Sequence, residues 1–313
     1  MSRAARPATT LAITGATGFV GGAVLDEALA QGLAVRALTR RPQSPRDGVE
    51  WIEGALDDSS ALPSLCEGVD AAIHVAGLTN TPDPARFTAA NVDGTANVLA
   101  AAKAAGCRRF IFVSSLAARE PRLSAYGASK AKAEELVEQS GLDWTIVRPP
   151  AVYGPRDADM FELFRSAKSG VVPLPPGGAT SIIHVADLAR LLVALALKEG
   201  VRKGLRKIYE PDDGREGGWS QKELAREIGR AVGRRRVYAP HLPRPVLDLA
   251  ARADRLMRGD RARLTADRVS YMCHPNWVAR SDRKAPGDLW APRIAGEEGL
   301  KATADWYRAE GWL

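Results

Sequence analysis

Cysteine is scarce in this 313-residue chain. Cys66, Cys107 and Cys273 are odd in number and far apart, which excludes a disulfide framework and suits reduced thiols. Histidine is almost as rare, and His74, His184, His241 and His274 lack metal-ligand spacing, so no metal is expected. No uninterrupted apolar run is long enough to cross a bilayer. The opening MSRAARPATT is basic but has no apolar core of the kind a secretory signal needs. A cytoplasmic protein is expected. Internal repeats and low-complexity tracts are also missing. Little aromatic character is interleaved with the basic residues, which makes nucleic acid a poor partner.

Charge is present but unevenly placed. Between Arg230 and Arg268 there are eleven Arg against four Asp and no Lys or Glu, which accounts for the whole net charge of +7. A solvated basic face explains this, as does an anionic substrate or a membrane surface nearby. Within the same segment, Leu242 to Arg258 reads as a helix. Val246, Leu249, Ala250, Ala253, Leu256 and Met257 recur on one face, with Arg252, Arg255 and Arg258 elsewhere. Such a helix packs on a core, lids an apolar substrate or rests on a membrane surface.

The stretch that organises the chain is TTLAITGATGFVGG, Thr9 to Gly22. Leu11 and Ile13 read as a buried parallel strand that breaks at a glycine turn and runs into a helical pattern. Gly15, Gly18 and Gly21 are three apart. Side chains at Gly15 or Gly18 would hold a pyrophosphate off the backbone, and Gly21 permits close helix–strand packing. Further strands are expected at Leu33–Thr39, Val49–Glu53, Val69–Ala76, Arg108–Ser114 and Leu142–Val147, with helices at Ala85–Ala105 and Tyr126–Gln139. Strands alternating with helices imply an α/β fold with a doubly wound parallel sheet and ligands at the carboxyl ends of its strands. The second strand ends in Thr39-Arg40-Arg41, with two guanidiniums and no carboxylate, so NADP(H) is expected over NAD(H).

Chemistry enters with Ser114, Ser115 and the run Tyr126-Gly-Ala-Ser-Lys130. Tyr126 and Lys130, four apart, lie on one helix face, where the ammonium is expected to lower the phenol's pKa. A proton donor beside a nicotinamide is what carbonyl reduction needs: Tyr126 protonates the oxygen and Ser115 hydrogen-bonds it. His74 reads as a core residue.

TGATGFVG, the Ser pair after the fifth strand and the Tyr-x-x-x-Lys run together resemble the extended short-chain dehydrogenase/reductase family. RPPAVYGPRD, HVADLARLL and the tail EEGLKATADWYRAEGW extend the resemblance over most of the chain. It implies a Rossmann cofactor domain at 1–150 and 184–210, and a smaller, mostly helical substrate region at 151–183 and 211–313. It also implies cofactor contacts from Thr17, Phe19 and Val20 in the loop, Leu56 after the third strand, Ala76 and Gly77 after the fourth, and Pro149 and Val152 after the sixth. Catalytic places fall on Ser115, Tyr126 and Lys130, with Asn91 on its helix near the active site and Lys130 on the nicotinamide ribose. Where the family carries Gly-Asp-Leu beside adenine, this chain has Gly54-Ala55-Leu56, with Asp57 and Asp58 following.

Within the family, the pattern is similar to the dihydroflavonol reductases, the 3β-hydroxysteroid dehydrogenases and, in bacteria, the reductases of an oxo group on ceramide. This implies a small-molecule or lipid substrate, and it leaves room for peripheral contact with the inner membrane. A nucleotide-sugar epimerase or dehydratase and a non-catalytic NADPH-holding accessory protein stay open as alternatives, as do a monomer and a homodimer.

Overall fold

A computed structural model describes residues 9–197 and 202–313. The first eight residues of the basic opening, and residues 198–201 within the span 184–210, lie outside it. Seven parallel strands form the main sheet: β1 (Thr10–Thr14), β2 (Ala34–Thr39), β3 (Val49–Glu53), β4 (Ala71–His74), β5 (Arg109–Val113), β6 (Asp143–Val147) and, after three short strands introduced below, β10 (Lys207–Tyr209). Their order, β10-β6-β5-β4-β1-β2-β3, is doubly wound and reverses between β1 and β4. The six strands expected from the sequence are all present: β1 contains Leu11 and Ile13, β3 is as drawn, β2 and β6 start one residue later, and β5 and β4 are shorter by one and two residues at each end. β10 was not foreseen, because a three-residue edge strand carries too little pattern.

Alternation along each strand divides the core into two layers. Leu11, Ile13, Ile111 and Val113 face α1 (Phe19–Ala30) and α7 (Val185–Ala196). Ala12, Phe110 and Phe112 face the opposite layer, which contains α2 (Ala61–Cys66), α4 (Gly94–Ala104) and α5 (Ala125–Gln139). This two-sided burial is why the strands read as continuous apolar runs. The helix expected over Ala85–Ala105 is one continuous rod made of α3 (Ala85–Phe87), a π-helical turn at Thr88–Asp93 and α4.

The remaining elements build a third cluster. Strands β7 (Ala151–Tyr153) and β9 (Ile182–His184) pair in parallel, while β8 (Ala179–Thr180) pairs with β11 (Trp219–Ser220) and β12 (Asn276–Trp277). Around them lie α6 (Ala158–Ser169), α8 (Gln221–Ala231) and the tail helix α11 (Gly296–Ala309), joined through Tyr153, Phe164, Trp219 and Tyr307. The helix foreseen in HVADLARLL begins after His184, which caps it.

Helix α9 (Arg244–Arg258) forms where the sequence suggests, but its burial is not the expected one. Leu247 and Ala251 are its buried residues, packed with Val269 of α10 (Ala266–Met272). All six residues of the foreseen apolar face are exposed, so core packing does not account for that face. No helix among the described residues is long and apolar enough to cross a membrane.

Candidate active site

At the sheet's reversal point, β1 ends in Gly15, whose φ of +75° favours glycine. A Cβ on Gly15 would approach the Ala76 backbone nitrogen to 2.8 Å, and one on Gly21 would fall 2.0 Å from the Gly15 carbonyl oxygen. These close approaches bring the start of α1 against the ends of β1 and β4. Gly18 caps α1 with no side-chain hydrogen bond, and no acidic residue occupies the first turn. The amide groups at the helix's positive end, flanked by exposed Thr17 and half-buried Phe19 and Val20, therefore form a cradle that fits a dinucleotide pyrophosphate.

Arg40 and Arg41 are exposed at the end of β2, and neither side chain makes an ion pair among the described residues. The turn carrying them is held by the Thr39 hydroxyl, which donates to the Arg41 carbonyl at 2.7 Å. After β3, Leu56 packs over Gly94, and its carbonyl accepts from Asn97 at 2.9 Å. Asp58 is turned into a local turn by its Oδ1, which accepts from the Ser60 amide and hydroxyl and the Ala61 amide, and the hydrogen bonds from Ser60 hold its pKa below the usual carboxylate range.

His74 is fully buried between the Thr14 hydroxyl at 2.6 Å and the Thr95 hydroxyl at 3.0 Å, stacked on Phe112. Burial, aided by the Lys130 charge, depresses its pKa to about 3. It is a core histidine. Asn91 sits in the π-helical turn and grips Leu78 through both backbone groups, at 2.7 and 2.9 Å, while donating to Ser129 of α5 at 2.9 Å. Gly77 is wedged beside it: a Cβ there would lie 2.9 Å from the Asn91 amide oxygen and 3.2 Å from the Lys130 ammonium. Ala76, Gly77, Asn91 and Lys130 therefore converge.

The two serines after β5 part company. Ser114 is buried and hydrogen-bonds Glu134 at 2.5 Å, anchoring the strand end. Ser115 accepts from the Ala117 amide at 3.2 Å and faces the Tyr126 phenol, where its hydrogen bond is the largest influence lowering that pKa. The net shift is nevertheless upward, because burial dominates. Lys130 is not the cause expected of it. Its ammonium donates to the Val113 carbonyl at 2.9 Å and lies over the Phe112 ring, and burial lowers its own pKa to about 8. Beyond Ser115, two opposed charges act on the phenol: Arg268, which lowers its pKa, and Asp159, which raises it. The Leu116 amide donates to the Pro149 carbonyl at 3.1 Å, which fixes the β6 exit beside Ser115; Val152 follows, half-buried in β7.

Sequence reasoning missed what covers Tyr126. Phe87 packs on one side at 5.8 Å and Tyr271 of α10 on another at 5.9 Å between ring centroids. Leu78 and Trp277 complete an apolar surround. Asp267, also on α10, accepts from the backbone amides of Ala125 and Tyr126, so α10 caps the very helix that carries the phenol. These contacts span about 140 positions, and no local pattern signals them.

A profile of NAD(P)H-binding proteins matches residues 15–199. The chain belongs to that family, within the extended short-chain dehydrogenase/reductases. It is similar to a ceramide reductase of Caulobacter vibrioides, 37% identical, with 97% of this chain and 96% of the relative covered. A 2-alkyl-3-oxoalkanoate reductase of Stenotrophomonas maltophilia is 28% identical over 92% of this chain and 96% of its own. Among solved structures, MoeE5 in complex with UDP-glucose and NAD shares the fold, with a TM-score of 0.73 at 24% identity, covering 96% of this chain and 99% of that one. This reductase-like chain is thus an NAD(P)-dependent oxidoreductase.

Proposed function

We propose that the enzyme uses NADPH to reduce a ketone carried on a bulky hydrophobic molecule, with an oxo-ceramide as the best specific candidate. The observation that carries this reading is the Tyr126 phenol, faced by the Ser115 hydroxyl inside an apolar surround of Phe87, Leu78, Tyr271 and Trp277. A nicotinamide held there would supply the hydride for the carbonyl carbon. Charge then grows on the carbonyl oxygen, where Ser115 holds it by a hydrogen bond and Tyr126 delivers the proton. A phenol pushed above its ordinary pKa by burial is fully protonated at neutral pH and acts as an acid. The Lys130 ammonium, held by the Val113 carbonyl beside Gly77 and Asn91, would hold a nicotinamide ribose, as the family resemblance implies. Asn91 is a positioning residue that holds Leu78 and α5 in register.

NADPH is favoured because Arg40 and Arg41 are unpaired where a 2′-phosphate would lie. The apolar wall suits a lipid-like ketone better than a sugar, and the named activities of the two reductase relatives agree with that. Residues 151–183 and 211–313 supply the substrate side, α10 above all. A cytoplasmic site of action suits free thiols, two of them buried.

The test is turnover of Tyr126→Phe. NADPH consumption with an oxo-lipid should fall by about 10²-fold or more, while NADPH binding, followed by fluorescence, stays close to wild type. Undiminished turnover would remove Tyr126 as the acid. Tight retention of NAD with sugar turnover and no net consumption would return the epimerase reading.

A further inference from the structure

Helix α9 presents an apolar surface to solvent. Leu256 is 88% exposed, Met257 77%, Leu249 67% and Val246 46%. At about 100° per residue, these four with Ala250 and Ala253 occupy one arc of about 120°, centred some 140° away from the buried stripe of Leu247 and Ala251. The arc therefore points away from the body of the protein. Single exposed apolar residues need no explanation, but a contiguous helical face of them does.

Charge identifies the occupant. Arg252 borders the arc, and Arg252, Arg255 and Arg261 form no ion pair among the described residues. The net +7 of the chain is concentrated in the segment that contains this helix. An apolar face with an uncompensated guanidinium at its border and further ones nearby matches the hydrocarbon boundary and phosphate layer of an anionic bilayer. A second copy of the chain would set this positive segment against itself.

The same helix is connected to the active site. Leu247 and Ala251 pack on Val269 of α10, and α10 places Tyr271 over Tyr126 and Asp267 on the start of α5. We infer that α9 docks on anionic membrane surfaces with Leu249, Leu256 and Met257 immersed, so that α9 lies between the bilayer and the α10 cover of the active site. This deepens the proposed function by naming where its substrate is met, and the docking itself needs no substrate to be tested.

The experiment is co-sedimentation of the full chain with vesicles of phosphatidylcholine alone or with phosphatidylglycerol. Wild type should bind the anionic vesicles about tenfold more tightly than the neutral ones, and the difference should shrink in high salt. Leu249→Glu/Leu256→Glu should lose about tenfold or more in binding, while melting temperature and NADPH binding, which involve no part of this face, stay unchanged. Arg252→Gln/Arg255→Gln, which keeps the apolar face, should remove the preference for phosphatidylglycerol. Three results overturn the inference: no vesicle binding by wild type, equal binding by the Glu variant, or a homodimer in light scattering that the Glu variant dissociates. Vesicle binding that persists with no reductase turnover on any ketone would sink the proposed function and leave the docking intact.

Discussion

Tyr126 and Lys130 share a helix face yet take different electrostatic roles. Burial penalises the charged form of each, so the phenol is pushed up and the ammonium down. The expected through-space help from Lys130 to the phenol loses to desolvation, and the Val113 carbonyl takes the ammonium's hydrogen bond instead. Arg40 and Arg41 show the opposite situation, exposed and with side chains that form no ion pair among the described residues. A guanidinium fork meeting a phosphate gives charge-assisted hydrogen bonds that a 2′-hydroxyl cannot supply. Arg40→Ser/Arg41→Ser should therefore raise the dissociation constant for NADPH by about 10–100-fold and leave NADH nearly unchanged, as read by fluorescence titration. Equal weakening of both cofactors would show that the arginines do not read the phosphate.

One element, the rod from α3 through α4, owes its usefulness to an irregularity. The π-helical turn at Thr88–Asp93 puts Asn91 where its side-chain amide completes both backbone groups of Leu78 and reaches Ser129 on α5. A regular helix would direct that side chain elsewhere, and π turns recur at functional sites for this reason. Asn91→Ala leaves buried partners unsatisfied, and should cost about 2–4 kcal/mol in urea unfolding. Turnover should drop further than cofactor affinity does, because the segment displaced borders Gly77 and Lys130. A stability change under about 0.5 kcal/mol would mean that water replaces the amide. Helix α5 is likewise completed from outside its own sequence: Ser124 caps it locally, and Asp267 adds a carboxylate at its positive end.

Across the whole molecule, buried charge links the cofactor sheet to the later segments. Arg148 makes two hydrogen bonds to Glu134, at 2.9 and 2.6 Å, and contacts Glu210, which is fully buried. Arg119 bridges Glu210 to the carbonyls of Asn276 and Val278, tying the segment after α10 to the sheet. Acid stability should reflect His74 in particular. Its pKa is about 3 in the fold against 6.5 unperturbed, so the unfolded chain binds more protons between these values and stability is lost as pH falls. The slope is about 1.4 kcal/mol per pH unit, flattening below about 3. Burial of Asp157, raised to about 7, acts in the opposite direction between 3.8 and 7, so the clean measurement is a difference. Stability of wild type minus that of His74→Gln, from urea melts at pH 4 to 7, should shrink toward acid. A constant difference would deny His74 its neutral, buried role.

Local pattern alone determined the strand–turn–helix at Thr9–Gly22, the alternation of strands and helices and the Tyr126–Lys130 face. Each is set by residues close in the chain, through φ preference, hydrophobic period or spacing along a helix. Tertiary structure decided what those residues experience. Tyr271, Asp267 and Arg268 come to Tyr126 from about 140 positions away, and desolvation there reverses the expected direction of its pKa. The period of α9 fixed which residues share a face, but not whether that face is inside. That outcome depends on which other elements fill the space beside it, and Val269 of α10 takes Leu247 and Ala251 while leaving the wider arc to solvent.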